Sequence, residues 1–392
     1  MKTLQQFYEV MEHTREVRVA MVEARLEGQK PDPARVRELR RALETLEAVP
    51  VVNGRQQLLV DESKSVSLEM DYEIAELKKD LVFFEQGEPA LEGHLASLHP
   101  DFERHVAAAV ELLSPVHFNN FVTDRDGTIS NYCGRYRSSI QSAYNAVFLV
   151  RYARRRTESA TVVTSAPLMN PGIATVSVMP VGAYIYAASK AREFLDKEGK
   201  HRTLPVDSAR QKKLDAINAR VAALTSEPQH QKFALIGSGV QFKFGETTVA
   251  RQDVAKTIDP DESAAFMAEL TRITREIDPD GKDTHIKDTG LDVEIVLSTG
   301  DEQEFTKADG LYFIDRELGL ELERGPTLVC GDTPPDLKLV EACRNKTQDV
   351  YTIFMTKDEA LAQRVKESAP HSLVLPEVDM LVTALNRVAE KE

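Results

Sequence analysis

The sequence predicts an α/β protein: a doubly wound parallel sheet with a helical module before it and an α+β domain inserted into it. Three observations carry this prediction. From about residue 115 onwards, strand-like apolar runs alternate with helical runs. Residues from about 203 to 302 interrupt that alternation with a different pattern. Residues 1 to about 110 show apolar residues at helical spacing and few strand signals.

The first 113 residues are predicted to form an all-α module. Leu4, Phe7, Val10 and Met11 recur at helical spacing, and Pro31-Asp32-Pro33 breaks the pattern. Further helices are expected over residues 36–46, 68–81 and 102–113. Such a set favours a bundle or hairpin of helices. Two roles remain open for it: a stabilising or oligomerising appendage, or a module that docks a partner or regulates the rest.

The sheet is predicted in two parts of the chain, residues 114–202 and residues 303–392. Helical runs separate several of its strand-like runs, which is typical of βαβ units. The strand-like runs cover residues 117–123, 161–163, 184–187, 327–330 and 350–355. Ligands of such sheets bind beyond the carboxyl ends of the strands. Polar residues that directly follow a strand are therefore candidate site residues.

The inserted domain is predicted over residues 203–302. It contains two helical runs, residues 208–225 and 261–277. Strand-like runs are expected at residues 232–236, 240–244, 247–251 and 291–297. Glycine or turn residues separate several of these runs, so we expect a small sheet with helices packed on it.

Composition narrows the class of function. The chain has 392 residues, 42% of them hydrophobic and 29% charged, and a net charge of −14. That charge argues against non-specific binding to nucleic acid or to anionic membranes. The N-terminus lacks the apolar core of a signal peptide, and no apolar run approaches the roughly 20 residues that span a bilayer. Three cysteines without ligand-like spacing indicate reduced thiols and a cytoplasmic location.

Two aspartates, one residue apart, follow one of the strand-like runs. The segment Phe121-Val122-Thr123-Asp124-Arg125-Asp126-Gly127-Thr128 places both where a strand opens into a loop. There, one carboxylate can attack phosphorus and the other can move a proton. Together they can hold a divalent cation, because hard cations prefer carboxylate oxygen. The alternative for this segment by itself is a surface Asp-x-Asp turn.

Three further segments supply complementary groups. Asp332 and Asp336 follow an apolar run that ends in glycine, and Thr164 and Ser165 follow a β-branched run. Lys307 lies near a predicted helix start. Alone, Thr164 can equally be a hydroxyl that caps a strand end, and Lys307 a solvated lysine of a helix terminus. The order of acid pair, hydroxyl, lysine and acid pair along the chain favours one common site.

This order resembles that of the haloacid-dehalogenase (HAD) phosphohydrolases. The resemblance implies a HAD-like Rossmannoid core, with the inserted domain as its cap. It makes Asp124 a nucleophile that forms an aspartyl-phosphate intermediate. Asp126 would protonate the leaving oxygen and then activate water. Thr164, the backbone amide of Ser165 and Lys307 would bind the phosphate.

The same resemblance implies a Mg²⁺ cofactor. The ion would be held by the Asp124 carboxylate, the Asp126 backbone carbonyl and Asp332. Asp336 would orient these ligands or bind the ion through water. Zinc is not expected, because His94, His99 and His105 have no matching cysteine or carboxylate cluster, and the chain lacks the HExxH motif.

Further segments look like those of the nematode-type trehalose-6-phosphate phosphatases, which also carry a helical N-terminal extension. These segments are residues 234–243, 292–296 and 330–333. The similarity covers most of residues 115–392 and implies hydrolysis of trehalose 6-phosphate under a closing cap. Candidate sugar-binding residues on the cap are Gln241, Lys243 and Glu294. On the core they are Ser189, Arg192 and Glu193, in a segment that is usually richer in glycine in the relatives.

Other interpretations remain open at this point. The substrate can be another sugar phosphate, such as sucrose phosphate or a glycosyl-glycerate phosphate, with unchanged chemistry. A different class is a catalytically dead scaffold that acts through the helical module, either by self-association or by docking a partner. A P-loop is not expected at Gly237-Ser238-Gly239, because no Lys-Ser/Thr pair follows it.

Overall fold

The computed structural model describes residues 1–60, 65–169, 171–254, 256–298 and 305–391. The predicted fold class is confirmed: a large, mostly parallel sheet, an inserted α+β region and a helical N-terminal region. No helix in these ranges combines the length and the apolarity that a bilayer span requires.

The N-terminal region is helical as predicted. Thr3 and Gln6 form a capping box at its first helix, and Asp32 caps the second ahead of Pro33. The helices are α1 (Leu4–Leu26), α2 (Pro33–Glu47), α3 (Asp71–Gln86), α4 (Glu88–Leu98) and α5 (Phe102–Leu113). A small antiparallel sheet that the sequence analysis does not predict lies between α2 and α3. Its strands are β1 (Val51–Val52), β2 (Arg55–Leu59) and β3 (Ser65–Leu68).

The first part of the core runs from β4 to β8. Its strands are β4 (Phe118–Thr123), β5 (Thr157–Val163), β6 (Ile185–Ala188), β7 (Glu193–Leu195) and β8 (His201–Thr203). Its helices are α6 (Ala143–Arg156) and the single turn α7 (Ile173–Val176). Strands β4, β5 and β6 are parallel, whereas β7 and β8 extend the sheet in antiparallel fashion.

The inserted cap contains a four-stranded antiparallel sheet in the order β11-β12-β10-β9. Its elements are α8 (Ser208–Ser226), β9 (Val240–Lys243), β10 (Glu246–Ala250), α9 (Pro260–Ile277), β11 (Thr284–Asp288) and β12 (Asp292–Leu297). The strand predicted over residues 232–236 is wrong, because Gln231–Ala234 form a 3₁₀ turn. There the Phe233 ring stacks on that of Phe266 with centroids 3.8 Å apart, so this apolar run packs on helix α9.

The chain then returns to the core and completes the sheet. The remaining elements are α10 (Lys307–Leu318), β13 (Thr327–Gly331), α11 (Leu337–Arg344), β14 (Val350–Met355), α12 (Glu359–Ser368), β15 (His371–Leu375) and α13 (Val378–Glu390). The strand order is β15-β14-β13-β4-β5-β6-β7-β8, which places β4 and β13 side by side. Helices α10, α11 and α12 pack on one face of the sheet, and α6 and α13 belong to the hydrophobic core on the other.

The N-terminal region is part of this second core. Helix α1 packs on α6, and α5 packs on α13. Arg18 on α1 and Asp80 on α3 form an ion pair with no exposed surface, and Asp80 also accepts from the backbone N–H groups of Ala143 and Tyr144 at the start of α6. Helix α1 reaches the cap as well, because the Tyr8 hydroxyl donates to the Leu235 carbonyl at 2.6 Å.

Candidate active site

The polar segments predicted from the sequence follow adjacent strands. Asp124 comes directly after β4, Asp332 after β13 and Thr164 after β5. These three strands are parallel neighbours in the sheet, so their carboxyl ends lie at one edge. A backbone hydrogen bond also joins the ends of β4 and β13: the N–H of Asp124 donates to the Cys330 carbonyl at 3.0 Å.

Three carboxylates meet at this edge. Asp124, Asp332 and Asp336 each offer one oxygen, and these oxygens all lie within 4.8 Å of one another. The Thr128 hydroxyl is 3.3 Å from an oxygen of Asp124 and 3.3 Å from one of Asp332. Asp336 is fixed by the Thr333 hydroxyl at 2.7 Å and the Thr333 N–H at 3.1 Å. The second acid pair therefore approaches the first, as the sequence analysis expects.

Lys307 is the first residue of helix α10, and its side chain is buried among these acids. Thr306 and Asp309 form a capping box that fixes the start of the helix. The Lys307 ammonium donates to Asp124 and, at 2.7 Å, to Asp336. It thus joins the candidate nucleophile to the second acid pair.

The acids titrate abnormally because they are buried and close together. Burial raises the pKa of Asp124 to about 6, although Lys307 opposes the rise. Burial and the neighbouring Asp124 raise the pKa of Asp332 to about 8. For Asp336, burial is outweighed by Lys307 and by hydrogen bonds from Thr333, which leave its pKa below the usual value. Three carboxylates against one ammonium leave an excess of negative charge, and an oxygen-rich set of this kind fits a hard divalent cation.

Asp126 stands apart from this cluster. Its carboxylate pairs with the guanidinium of Arg125, which is buried, and the Ser139 hydroxyl lies 3.3 Å away. Arg125 also donates to the Ser139 hydroxyl at 3.0 Å and to the Ser139 carbonyl. The side chain of Asp126 is thereby oriented separately from the three clustered carboxylates.

A cavity of about 300 Å³ opens above these groups, between the core and the cap. Its floor contains Asp124, Asp126, Lys307 and Asp332, and Thr164 and Ser165 lie at its side. The Thr164 hydroxyl oxygen accepts from the Ala166 N–H at 3.1 Å, so it helps to fold the loop as well as to line the cavity. The volume is at the small end of the range for ligand sites.

One wall of the cavity comes from residues 131–140, which we call the wall loop. Tyr132, Arg135, Tyr136 and Ser139 of this loop line the cavity. None of them is predicted from the sequence, because the loop has no motif and follows the Asp-x-Asp segment without a strand. The tyrosine and arginine side chains of this loop could have indicated a binding site, since such residues are enriched at binding surfaces.

The cap supplies the roof. Gln241 and Lys243 on β9 line the cavity together with Ser238. Glu294 on β12 is not among the lining residues, but it lies on the same face of the cap sheet. Thr248 is paired with Gln241 on one side and with Glu294 on the other, and paired residues share a face. The Glu294 carboxylate is 3.7 Å from the Lys287 ammonium.

The predicted residues Ser189, Arg192 and Glu193 are not among the residues that line the cavity. Ser189 accepts from the Phe244 N–H at 3.1 Å and donates to Glu193 at 2.8 Å, so it joins core and cap. Arg192 lies 3.8 Å from Glu246 at the hairpin of the cap.

Glu246, which the sequence analysis does not single out, is the centre of this contact. It is buried, it accepts from Lys243 at 2.8 Å, and the Lys190 ammonium is 3.7 Å away. Burial raises the pKa of Glu246, but the surrounding cations outweigh that effect and lower it to about 2. An ionised Glu246 therefore ties the cap hairpin to the core.

The segment between β6 and β7 has an unusual backbone. Ser189, Lys190 and Ala191 have φ values of 54°, 59° and 65°, in the left-handed region that favours glycine. Helix α10 packs closely on them, because a Cβ at Gly310 would lie 2.1 Å from the Lys190 carbonyl oxygen. This conformation is one that glycine adopts at no steric cost, whereas the three residues present here all carry a side chain.

Comparison with known proteins gives a consistent result along the chain. A family model described as "Trehalose-6-phosphate phosphatase, C-terminal" matches residues 121–378. A second, described as "Trehalose-6-phosphate phosphatase N-terminal helical bundle domain", matches residues 3–98. The two matches coincide with the core and cap and with the N-terminal helices.

Three curated relatives illustrate the similarity. An alpha,alpha-trehalose-phosphate synthase [UDP-forming] 2 of Caenorhabditis elegans is 34% identical over 386 residues, covering 93% of this chain and 31% of the relative. The trehalose-phosphatase of Brugia malayi is 30% identical over 254 residues, covering 63% and 51%. The trehalose-phosphatase of Caenorhabditis briggsae is 25% identical over 401 residues, covering 93% and 92%.

The chain spans about a third of the length of the synthase relatives that it matches. Among solved structures, a "trehalose-6-phosphate phosphatase related protein" aligns with a TM-score of 0.47 and 13% identity, covering 69% of this chain and 96% of that one.

Proposed function

The chain belongs to the trehalose-6-phosphate phosphatase family, and from this membership we propose that it is a Mg²⁺-dependent phosphatase that hydrolyses trehalose 6-phosphate to trehalose and phosphate. One observation carries the proposal. Asp124 lies buried on the floor of a cavity between core and cap, bonded to Lys307 and beside two further acids. This is the arrangement that nucleophilic attack on a phosphate monoester requires.

In the first step, a carboxylate oxygen of Asp124 attacks phosphorus and the bond from phosphorus to the sugar oxygen breaks. Lys307 neutralises charge on the phosphoryl oxygens, and Thr164 and the Ser165 backbone amide orient them. Asp126 gives its proton to the departing sugar oxygen. The products of this step are free sugar and an aspartyl phosphate on Asp124.

In the second step, Asp126 takes a proton from water, and the resulting hydroxide attacks phosphorus. The bond from phosphorus to the Asp124 oxygen breaks, and phosphate leaves. The two steps together return Asp124 and Asp126 to their starting states. The pairing of Asp126 with Arg125 and Ser139 supports a role for this side chain that is separate from the acid cluster.

The acid cluster fits Mg²⁺. Asp124, the Asp126 backbone carbonyl and Asp332 would hold the ion, and Asp336 would orient the ligands through Lys307 and Thr333. When bound, the ion supplies positive charge that offsets the repulsion between a phosphate dianion and an anionic nucleophile. The raised pKa of Asp332 supports this assignment, since a cation would relieve the crowding of negative charge that causes it.

The proposed sugar-binding residues fall into two groups. Gln241 and Lys243 line the cavity, and Glu294 shares their face of the cap sheet. Ser189, Arg192 and Glu193 contact the cap hairpin, so their support for binding is indirect, through the closed position of the cap. Charged and amide groups of this kind give directional bonds to sugar hydroxyls.

We also propose the division into modules at residues 113/114, 202/203 and 302/303. The end of α5 at Leu113 supports the first boundary, and β8 ends at Thr203, one residue beyond the second. The third boundary lies outside the described residues. Three free cysteines, two of them buried, support a cytoplasmic location. Self-association or partner docking remains a proposed second role of the helical module.

Phosphate release from a panel of sugar phosphates, with Mg²⁺ and with EDTA, tests the proposed function. We expect Mg²⁺-dependent release from trehalose 6-phosphate and little from sucrose phosphate or a glycosyl-glycerate phosphate. Release from one of the other sugars alone would retain the mechanism and overturn the substrate. Absence of release from every substrate would favour the scaffold interpretation.

A further inference from the structure

One face of helix α3, in the N-terminal module, runs along the wall loop. Tyr72, Glu73 and Glu76 lie on this face, since Glu76 is four residues after Tyr72 and three after Glu73, and residues at these spacings are neighbours on a helix. The Tyr72 hydroxyl donates to the Ile140 carbonyl at 3.0 Å, and the Asn131 amide donates to Glu76 at 3.0 Å. The two ends of the wall loop are therefore tied to the same helix.

Glu73 holds the middle of the loop. Its carboxylate accepts from the Arg135 guanidinium at 2.8 and 2.9 Å and from the Ser138 hydroxyl at 2.6 Å. Glu73 has no exposed surface, and Arg135 is almost completely buried. Buried charges of this kind are strongly oriented, because each is satisfied only in the one geometry that pairs it.

The next residue of the loop reaches the catalytic centre. Ser139 follows Ser138 directly, and its hydroxyl lies 3.3 Å from the Asp126 carboxylate. Its carbonyl accepts from Arg125, which pairs with the same carboxylate. A shift of the loop would therefore move both groups that orient Asp126.

We propose that Glu73 is a positioning residue for the reaction: it fixes the wall loop so that Ser139 and Arg125 orient the carboxylate of Asp126. This inference rests on the proposed phosphatase function. It gives the helical module a part in the active site, although none of the described residues of that module lines the cavity. The module would then set how well the leaving oxygen is protonated.

The leaving group provides the test. A sugar alkoxide needs a proton as it departs, whereas the nitrophenolate of p-nitrophenyl phosphate leaves without one. The parameter kcat/KM reports the first phosphoryl transfer and excludes the hydrolysis of the aspartyl phosphate, which is common to both substrates. We would measure kcat/KM for trehalose 6-phosphate and for p-nitrophenyl phosphate with the whole 392-residue chain.

Glu73→Gln should lower kcat/KM for trehalose 6-phosphate about 10- to 100-fold and that for p-nitrophenyl phosphate less than about threefold. Ser138→Ala, a milder change, should show the same selectivity with about a 3- to 10-fold loss, and it serves if Glu73→Gln does not fold. The matched control is Glu88→Gln. Glu88 also pairs the module with the core, through Arg151 on α6, and within the described part of the chain its hydrogen-bond partners are Arg25, Arg151 and Asn386, which lie outside the wall loop. That variant should keep the ratio of the two kcat/KM values within about twofold.

A second measurement does not depend on activity. Hydrogen exchange of the wall-loop amides, which include the Ser138 and Ser139 N–H groups bonded within the loop, should accelerate in Glu73→Gln and not in Glu88→Gln. Equal losses on both substrates, the same selectivity in Glu88→Gln, or unchanged exchange would each overturn the positioning role.

Failure of the proposed phosphatase function would give different results from failure of the positioning role, because it would be seen in the wild-type protein. Wild-type protein that prefers another sugar phosphate would overturn the substrate, and the same ratio would then be measured with that sugar. Wild-type protein without any turnover would overturn the phosphatase, and the exchange data would decide whether Glu73 fixes the loop.

Discussion

Gly127 lies against the carboxylate of Asp332. A Cβ at position 127 would stand 2.2 Å from an Asp332 oxygen, and Gly127 has a φ of 87°. The loop after the first acid pair thus passes so close to the second that a side chain at position 127 would have to displace the Asp332 carboxylate. This contact joins two sequence motifs that are about 200 residues apart.

Gly127→Ala should therefore impair the proposed Mg²⁺ site. The new methyl group would displace Asp332, and the positive φ adds strain of about 1 kcal/mol. We expect the Mg²⁺ concentration for half-maximal activity to rise at least about tenfold, as for other changes that misplace a metal ligand. A titration of phosphatase activity with Mg²⁺ gives this concentration for the variant and for the wild type. A normal Mg²⁺ requirement would show that Asp332 is not a ligand.

Asp124→Asn should abolish turnover, with a loss of at least about 10³-fold, because an amide cannot attack phosphorus. Phosphate release at saturating Mg²⁺ gives the rate, and circular dichroism confirms that the variant is folded. A variant that keeps the wild-type rate would refute Asp124 as the nucleophile.

Lys307→Ala should lower kcat/KM about 10²- to 10³-fold, because a buried cation that offsets phosphate charge is lost. Lys307→Arg is the matched control, since it keeps the charge with a different shape, and it should retain more activity. If Lys307→Ala stays within about threefold of wild type in steady-state kinetics, the lysine has only a structural role.

Glu294→Gln should reduce kcat/KM for trehalose 6-phosphate about 10- to 100-fold, because a hydrogen bond from the sugar to a charged group would be replaced by a weaker one to an amide. Turnover of p-nitrophenyl phosphate should change less than about twofold. Asp288→Asn is the control, because Asp288 lies on the neighbouring strand β11 and pairs with Arg251 at the surface. Equal losses on both substrates would remove Glu294 from sugar recognition.

Glu246 should stabilise the protein in a pH-dependent manner. Its pKa falls from an ordinary 4.5 to about 2 on folding, so its contribution is fully present above pH 4.5 and is lost as the pH falls towards 2. The shift corresponds to about 3 kcal/mol. Urea unfolding of wild type and Glu246→Gln at pH 7 and pH 3 should show a smaller difference at pH 3. A difference that does not change with pH would contradict an ionised Glu246 in the folded state.

Much of the fold was predictable because its signals are local. Alternating apolar runs predict the parallel sheet, and Asp124, Thr164 and Asp332 follow strands as expected. The missed N-terminal sheet also had a local signal, since Asn53-Gly54 is a typical hairpin turn and both residues have positive φ. The run at 232–236 failed for a different reason: packing of Phe233 on Phe266 decides its conformation, and a short apolar run does not specify it.

Site residues could be predicted from the sequence mainly where they directly follow a strand. The wall loop depends on Glu73 and Arg135, which are 62 residues apart, and no motif links them. Glu246 lies beside Lys190 and Arg192, two cations of the core that are more than 50 residues away in the sequence. Contacts of this kind arise from tertiary packing, so one sequence does not reveal them.

The close approach of helix α10 to residues 189–191 has an evolutionary consequence. Gly310 cannot acquire a side chain while the Lys190 carbonyl remains where it is. Most single substitutions at position 310 should be purged by selection, and a change there should survive only with a rebuilt β6–β7 connection. In related sequences that diverge from this one, substitutions at position 310 should therefore be accompanied by substitutions in residues 189–191.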